Sequence, residues 1–345
     1  MAAERVLTQR ELNRAVLARQ LLLERTNLPI PKVLERMGGL QAQYAPSMYI
    51  GLWSRRGGVE RDDLTRALGR RSVVQATIMR ATIHLVSERD YWPLTVAVRD
   101  ERREWWRRVT QGVVAWDEMR EAADLLTSAL ADGPLRRTEI EELLGRERAR
   151  GVGLWVDLVR VPPSGTWDRR RADLFGLADT WVEPPELTVE EARDLLVRRY
   201  LGGFGPASRA DIADWAGLSL GAIDPTLETI ALRRFRSEDG EELLDLPRAP
   251  LPDPETPAPV RLLPTWDALL LAHARRTGVL PEEHRSKIFN TKMPQSVGTF
   301  LVDGVVAGTW RFDGPKVGLD PFAALDPAAQ RDLENEAARL EAFSA

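Results

Sequence analysis

Gln41 and Gln43 lie two residues apart in Gly38-Gly39-Leu40-Gln41-Ala42-Gln43-Tyr44. In an extended chain residues i and i+2 face one side, so the two amides converge while Ala42 points away. Such a pair can orient a water molecule or hold a polar leaving group. It cannot serve as a strong acid or base, because neither side chain titrates. Chemistry at this pair therefore needs a substrate already close to breaking. The spacing also has an ordinary explanation, since glutamines after a helix are usually solvated.

The surrounding residues supply the elements that would position the pair. Pro31 suits the first turn of a helix over about 31–37, Val33, Leu34 and Met37 share one face, and the two glycines stop it. Thr8 and Glu11 predict a capping box for an earlier helix running to about Arg25. Another helix is expected over about 61–69, followed by β-rich runs at 73–78 and 81–86 that pair as a hairpin. Arg80 and His84 fall at the inner ends of that hairpin and are candidates to contact phosphate or sugar. Arg55-Arg56 before Gly57-Gly58 reads as a flexible basic loop, a candidate phosphate contact. Lys287 and Lys292, flanking Phe289-Asn290, form a second candidate basic loop. Trp53, Trp92, Trp155, Trp215 and Trp266 read as core, whereas Trp105-Trp106 sits among arginines on a basic helix with one ring turned inward.

Helices followed by a hairpin make a winged helix-turn-helix, and the plan recurs. A second block has helices expected near 118–131, 137–144 and 152–159, with strands around 158–161 and 167–177. A third has helices near 188–201, 207–216 and 219–230, then strands at 232–236 and 243–246 around an Asp-Gly turn. The fold class is thus mainly helical with α+β modules: three tandem winged-helix domains over 1–117, 118–186 and 187–246. Six prolines make 247–260 a semi-stiff linker. Residues 261–345 read as a mostly-β unit closed by a helix near 327–341.

Composition narrows the chemistry. The chain has no Cys, which excludes thiolate nucleophiles, disulfides and Cys-ligated zinc. No two of its three His have metal-ligand spacing, so no metal or cofactor is expected. No run of ~18 apolar residues offers a membrane span, and the N-terminus lacks a signal-peptide core, so a cytoplasmic protein is expected. The net charge of −4 hides a local asymmetry: residues 1–120 carry 21 Lys and Arg against 14 Asp and Glu. Positive potential is therefore concentrated around the glutamine pair, where it would attract phosphates.

The ordered set Leu7-Thr8, Gly39-Leu40-Gln41-Ala42-Gln43, Arg80-Ala81-Thr82-Ile83-His84-Leu85, Arg160-Val161-Pro162-Pro163-Ser164-Gly165-Thr166-Trp167, Phe204-Gly205-Pro206-Ala207, Leu262-Leu263-Pro264-Thr265-Trp266-Asp267 and Val279-Leu280-Pro281 to His284-Arg285 spans nearly the whole chain. It resembles the AlkZ-like winged-helix DNA glycosylases, whose relatives include the YcaQ type. The resemblance implies three winged helices around a DNA-sized channel and a barrel-like C-terminal unit. It places the catalytic residues in the Gln-apolar-Gln motif, here Gln41 and Gln43. The implied reaction is monofunctional hydrolysis of the N-glycosidic bond of N7-alkylated purines, chiefly guanine, in double-stranded DNA. Bulky natural-product adducts and interstrand crosslinks are implied substrates, in repair or self-resistance, and a monomer is expected. N7 alkylation leaves the base positively charged, so it departs neutral without an acid. Relatives with Asp at the second position own a titratable base that this chain lacks. The competing reading is a non-catalytic winged-helix DNA-binding regulator. Against it, the glutamines fall outside any recognition helix, and three wings suit a channel better than a palindromic dimer.

Overall fold

The computed structural model describes residues 4–272, 278–289 and 297–345. The glutamine pair is fixed between a helix end and a sheet edge. Helix Ile30–Met37 stops at Gly38 in the left-handed region (φ 76°), and Gly39 follows at φ 85°. A Cβ on Gly39 would meet the Leu85 carbonyl oxygen at 3.1 Å, so the chain approaches its neighbouring strand where only glycine fits. The next residues, Leu40–Gln41, form a two-residue strand antiparallel to Ile83–Ser87, with Gln41 opposite His84.

That edge belongs to a six-stranded sheet: Leu40–Gln41, Ile83–Ser87, Val73–Thr77, Leu158–Arg160, Leu174–Leu177, Leu135–Arg136. The hairpins of the first and second sequence blocks join edge to edge in it, through the pairing of Ala76 with Val159. The same pairing corrects the helix expected near 152–159. Residues Arg146–Gly151 are helical, a 3₁₀ turn covers Val152–Leu154, and Leu158 is drawn into the sheet. A second sheet joins Val6–Leu7 in parallel to Arg233–Ser237, which pairs with Glu242–Asp245, so the first and third blocks are stitched together. Four antiparallel strands, Arg261–Leu263, Gly298–Val302, Val305–Asp313 and Lys316–Pro321, make the C-terminal sheet beside helix Pro327–Ser344. Its order is sequential, and no pairing of the first strand with the last is seen among the described residues.

One helical expectation near the site changes, and one helix there is unexpected. The capping box of Thr8 and Glu11 is formed, but its helix, Gln9–Arg19, ends well before Arg25. Gln20 turns inward, its amide donating to the carbonyls of Met37 (3.2 Å) and Gly203 (2.9 Å), and Leu21 takes φ 58°. Residues Ala45–Arg55, which lack an amphipathic period, form a helix buried on every side.

Three large apolar cores, with a small fourth around Leu7, Phe235 and Leu243, hold this frame. One joins the long helix Glu88–Val109 to Val189–Phe204 and Arg209–Ala216, with Leu94, Val98, Leu196, Tyr200, Phe204 and Trp215. Another packs Leu34, Met37, Leu40, Ala42 and Met48 against Leu262, Phe300, Trp310 and Leu333 of the C-terminal part. The third, around Trp106, Met119 and Leu126, is that of the second block. Two fully buried ion pairs cross-link distant segments, Arg19 with Asp245 at 2.7 Å and Arg55 with Asp267 at 2.8 Å.

Candidate active site

Ala42 is buried in the core while both glutamines turn toward the segment 79–84, the alternation expected of an extended chain. Gln41 is buried, and its Oε1 lies 3.5 Å from Arg80 Nη2. Gln43 is exposed, and its Oε1 accepts the backbone N–H of Ile83 at 2.8 Å. That donor fixes which end of the Gln43 amide faces the protein. An amide oxygen has two acceptor sites, so one remains for the O–H of a water molecule.

Arg80 and Ala81 are strained. Both are non-glycine residues in the left-handed region (φ 51° and 56°), within a single 3₁₀ turn. Such conformations persist only where surroundings impose them, and they cluster at functional sites. Here the third block imposes it: Arg80 Nη1 donates to the Trp215 carbonyl, and Gly217, the left-handed cap of helix Arg209–Ala216, lies against the Arg80 backbone. A Cβ on Gly217 would sit 3.2 Å from Arg80 Cα.

His84 is buried, with Nδ1 3.0 Å from the Thr82 carbonyl oxygen. A carbonyl only accepts, so Nδ1 carries the proton and Nε2 is left as an acceptor. Burial, with the nearby Arg80 charge, drops the imidazole pKa to about 3, so the ring is neutral throughout the physiological range. Burial also lowers the Arg80 pKa. Gly38, Gly39, Gln41, Arg80, His84 and Trp215 wall a cavity of about 10 Å³, room for about one water molecule.

The structure brings Gln41, Gln43, Arg80 and His84 together. It does not bring the remaining candidates to them. Arg55 is the last residue of the buried helix, wholly excluded from solvent. It is held by both oxygens of Asp267 at 2.8 Å and by the Gly51 carbonyl, so it has no guanidinium to offer DNA. The expectation of a flexible basic loop fails at this residue. Arg56 is half-buried and donates to the Leu28 carbonyl at 2.9 Å. Lys287 is exposed, its ammonium 4.2 Å from the Phe322 ring centroid. Lys292 lies outside the described residues. Arg102, one of the helix arginines, is buried and donates to the carbonyls of Thr77 and Ile78, while Trp106 turns inward and Trp105 stays exposed.

Sequence reasoning missed the segment that lies beside Gln43. Arg169, Arg170 and Arg171 are consecutive and exposed on the loop after Trp167, and Arg170 Nη1 donates to the exposed Tyr44 hydroxyl at 2.9 Å. An Asp-Arg-Arg-Arg run closing a hairpin loop was the available signal. Among the described residues, no three His, Asp or Glu side chains are grouped to hold a metal ion, and no helix is long and apolar enough to cross a membrane.

The chain matches the family model described as "DNA glycosylase AlkZ-like" over residues 34–343. It is 24% identical to an interstrand DNA cross-link repair glycosylase of Streptomyces sahachiroi, over 93% of this chain and 92% of that protein. Its fold is similar to the solved structure of Streptomyces sahachiroi DNA glycosylase AlkZ, with a TM-score of 0.82 and 20% identity. That superposition covers 98% of this chain and 97% of the other.

Proposed function

This chain belongs to the AlkZ-like DNA glycosylase family, and from that premise we propose that it hydrolyses the N-glycosidic bond of N7-alkylated purines, mainly guanine. Bulky adducts and interstrand crosslinks are included among its substrates; the Streptomyces relative is named for interstrand cross-link repair. The role is DNA repair or self-resistance of a producer organism, in the cytoplasm, by a monomer on double-stranded DNA. In this reading each of the three blocks is a winged helix facing a channel for the duplex, and the C-terminal part is barrel-like.

The observation that carries the reading is the pair of amides on one side of a strained, half-buried turn, with the solvent-facing amide pinned at a single atom. Alkylation at N7 makes the leaving base cationic, so no general acid is required. What remains is a positioned water and stabilisation of the oxocarbenium-like sugar. Gln43 Oε1 holds that water. Gln41, buried against Arg80 and His84, holds the sugar-side geometry from behind. Gln43 is exposed rather than sunk in a pocket, which suits a base that cannot swing out because a crosslink tethers it to the opposite strand. Arg169 to Arg171, whose loop reaches Tyr44 through Arg170, would contact phosphates of a duplex seated on Gln43, with Lys287 as a further phosphate contact in this reading.

A monofunctional enzyme leaves an intact abasic strand. A lyase would need an amine to form a Schiff base; among the described lysines, Lys32 is paired with Glu35, Lys316 with Glu341, and Lys287 lies on Phe322. Incubating the protein with a duplex bearing one N7-methylguanine and quenching with borohydride is expected to give free methylated base, an unbroken abasic strand and no trapped covalent complex. A borohydride-trapped adduct would overturn the monofunctional assignment.

A further inference from the structure

A groove of about 680 Å³ opens between the long helix Glu88–Val109, the helix Arg146–Gly151 and the joined sheet. Its volume is that of a site for an organic molecule of drug-like size. The walls are mixed. Trp105, Val109 and Val113 are exposed apolar side chains, Phe175 adds an aromatic face, and Arg137 and Arg160 add charge.

Arg160 stands out among these residues. It is more than nine-tenths buried, has no carboxylate partner among the described residues, and its Nε meets no acceptor. Its Nη2 donates to Thr77 Oγ1 at 3.1 Å, and the guanidinium lies 5.3 Å from the Phe175 ring centroid. A desolvated cation in a groove wall, with no carboxylate to offset its burial, is a group that an acceptor entering the groove would stabilise.

The groove communicates with the glutamine pair through the sheet. Thr77 and Ala81 line it, and Thr77 is the cross-strand partner of Ile83, whose N–H holds Gln43. Directly opposed residues of antiparallel strands lie about 4.5–5.5 Å apart. The groove wall and the strand that holds Gln43 are therefore neighbours in one hairpin.

We propose that this groove receives the aromatic, acceptor-bearing tail of a bulky N7 adduct, with Arg160 donating to an oxygen of the tail and Trp105 stacking on its ring. The inference rests on the glycosylase reading above. Phosphate alone would leave the apolar walls unused, whereas a flat ring carrying a carbonyl uses both kinds of wall. A methyl adduct has no tail and leaves the groove empty.

The test compares single-turnover base release from two duplexes, one with N7-methylguanine and one with guanine carrying at N7 a bicyclic aromatic amide on a short alkyl chain. Trp105→Ala removes an exposed ring, and Arg160→Met removes the buried charge. Both are expected to slow the tailed substrate about tenfold, chiefly through weaker substrate binding, with the methyl substrate near the wild-type rate. Trp105→Ala keeps the test decisive if Arg160→Met does not fold. Equal losses on both duplexes, or no loss on either, would overturn the groove's role while leaving the glycosylase reading intact. Release of neither base by the wild type would remove that reading, and the groove's role with it.

Discussion

Gln43→Ala is expected to slow single-turnover release of N7-methylguanine by about 10²–10³-fold, the scale of losing a positioned catalytic group, with duplex affinity nearly unchanged. The side chain is exposed, so its loss opens no cavity. The Ile83 N–H that it covers passes to water. What disappears is the outward-facing acceptor site of the Gln43 amide oxygen beside the strained turn, and with it the water's orientation. Gln41→Ala acts differently, because Gln41 is buried and faces Arg80. Its effect on rate is expected to be smaller. A wild-type rate in Gln43→Ala would remove this residue from the chemistry.

Arg55→Ala is expected to cost about 3–5 kcal/mol of stability, the usual consequence of stranding one member of a buried ion pair. The Asp267 carboxylate is as completely buried as its partner, and it also accepts the Leu269 N–H at 3.0 Å, fixing the turn Ala268–Leu270. Ala268 and Leu271 close one side of the small cavity beside Gln41. Loss of Arg55 should therefore loosen a wall of the site as well as the frame. Urea unfolding measures the stability, and a filter-binding isotherm on the folded protein measures DNA affinity. A stable variant with weakened duplex binding would show that Arg55 contacts phosphate after all.

The local elements were legible in the sequence because local physics determines them. The glycine stop after Met37, the Thr8 capping box and the hairpin on either side of Arg80 follow from backbone preferences within a few residues. The same holds for the side shared by Gln41 and Gln43. The failures share a different cause, which is long-range pairing. Arg55 read as basic surface because its counter-charge lies 212 positions away. Helix Ala45–Arg55 was not seen because burial on all faces erases the apolar stripe that marks an amphipathic helix. Leu158–Arg160 read partly as helix, whereas it pairs along its length with Leu174–Leu177 and through Val159 with a strand of another block. Trp215 and Gly217, which brace Arg80, come from a third block whose pattern gives no hint of the site.

The central claim is that two amides, with no titrating group, break a bond whose leaving group already carries its charge. The most direct measurement is single-turnover release of N7-methylguanine from a defined duplex, followed from pH 5.5 to 9 against the spontaneous rate. His84, with its pKa near 3, is neutral across this whole interval, so raising the pH removes no proton from it and lowering it to 5.5 adds none. The account predicts release far above the spontaneous rate with little variation across the interval. Release no faster than in buffer, or a bell-shaped profile centred near pH 6.5 as an ordinary imidazole would give, would contradict it.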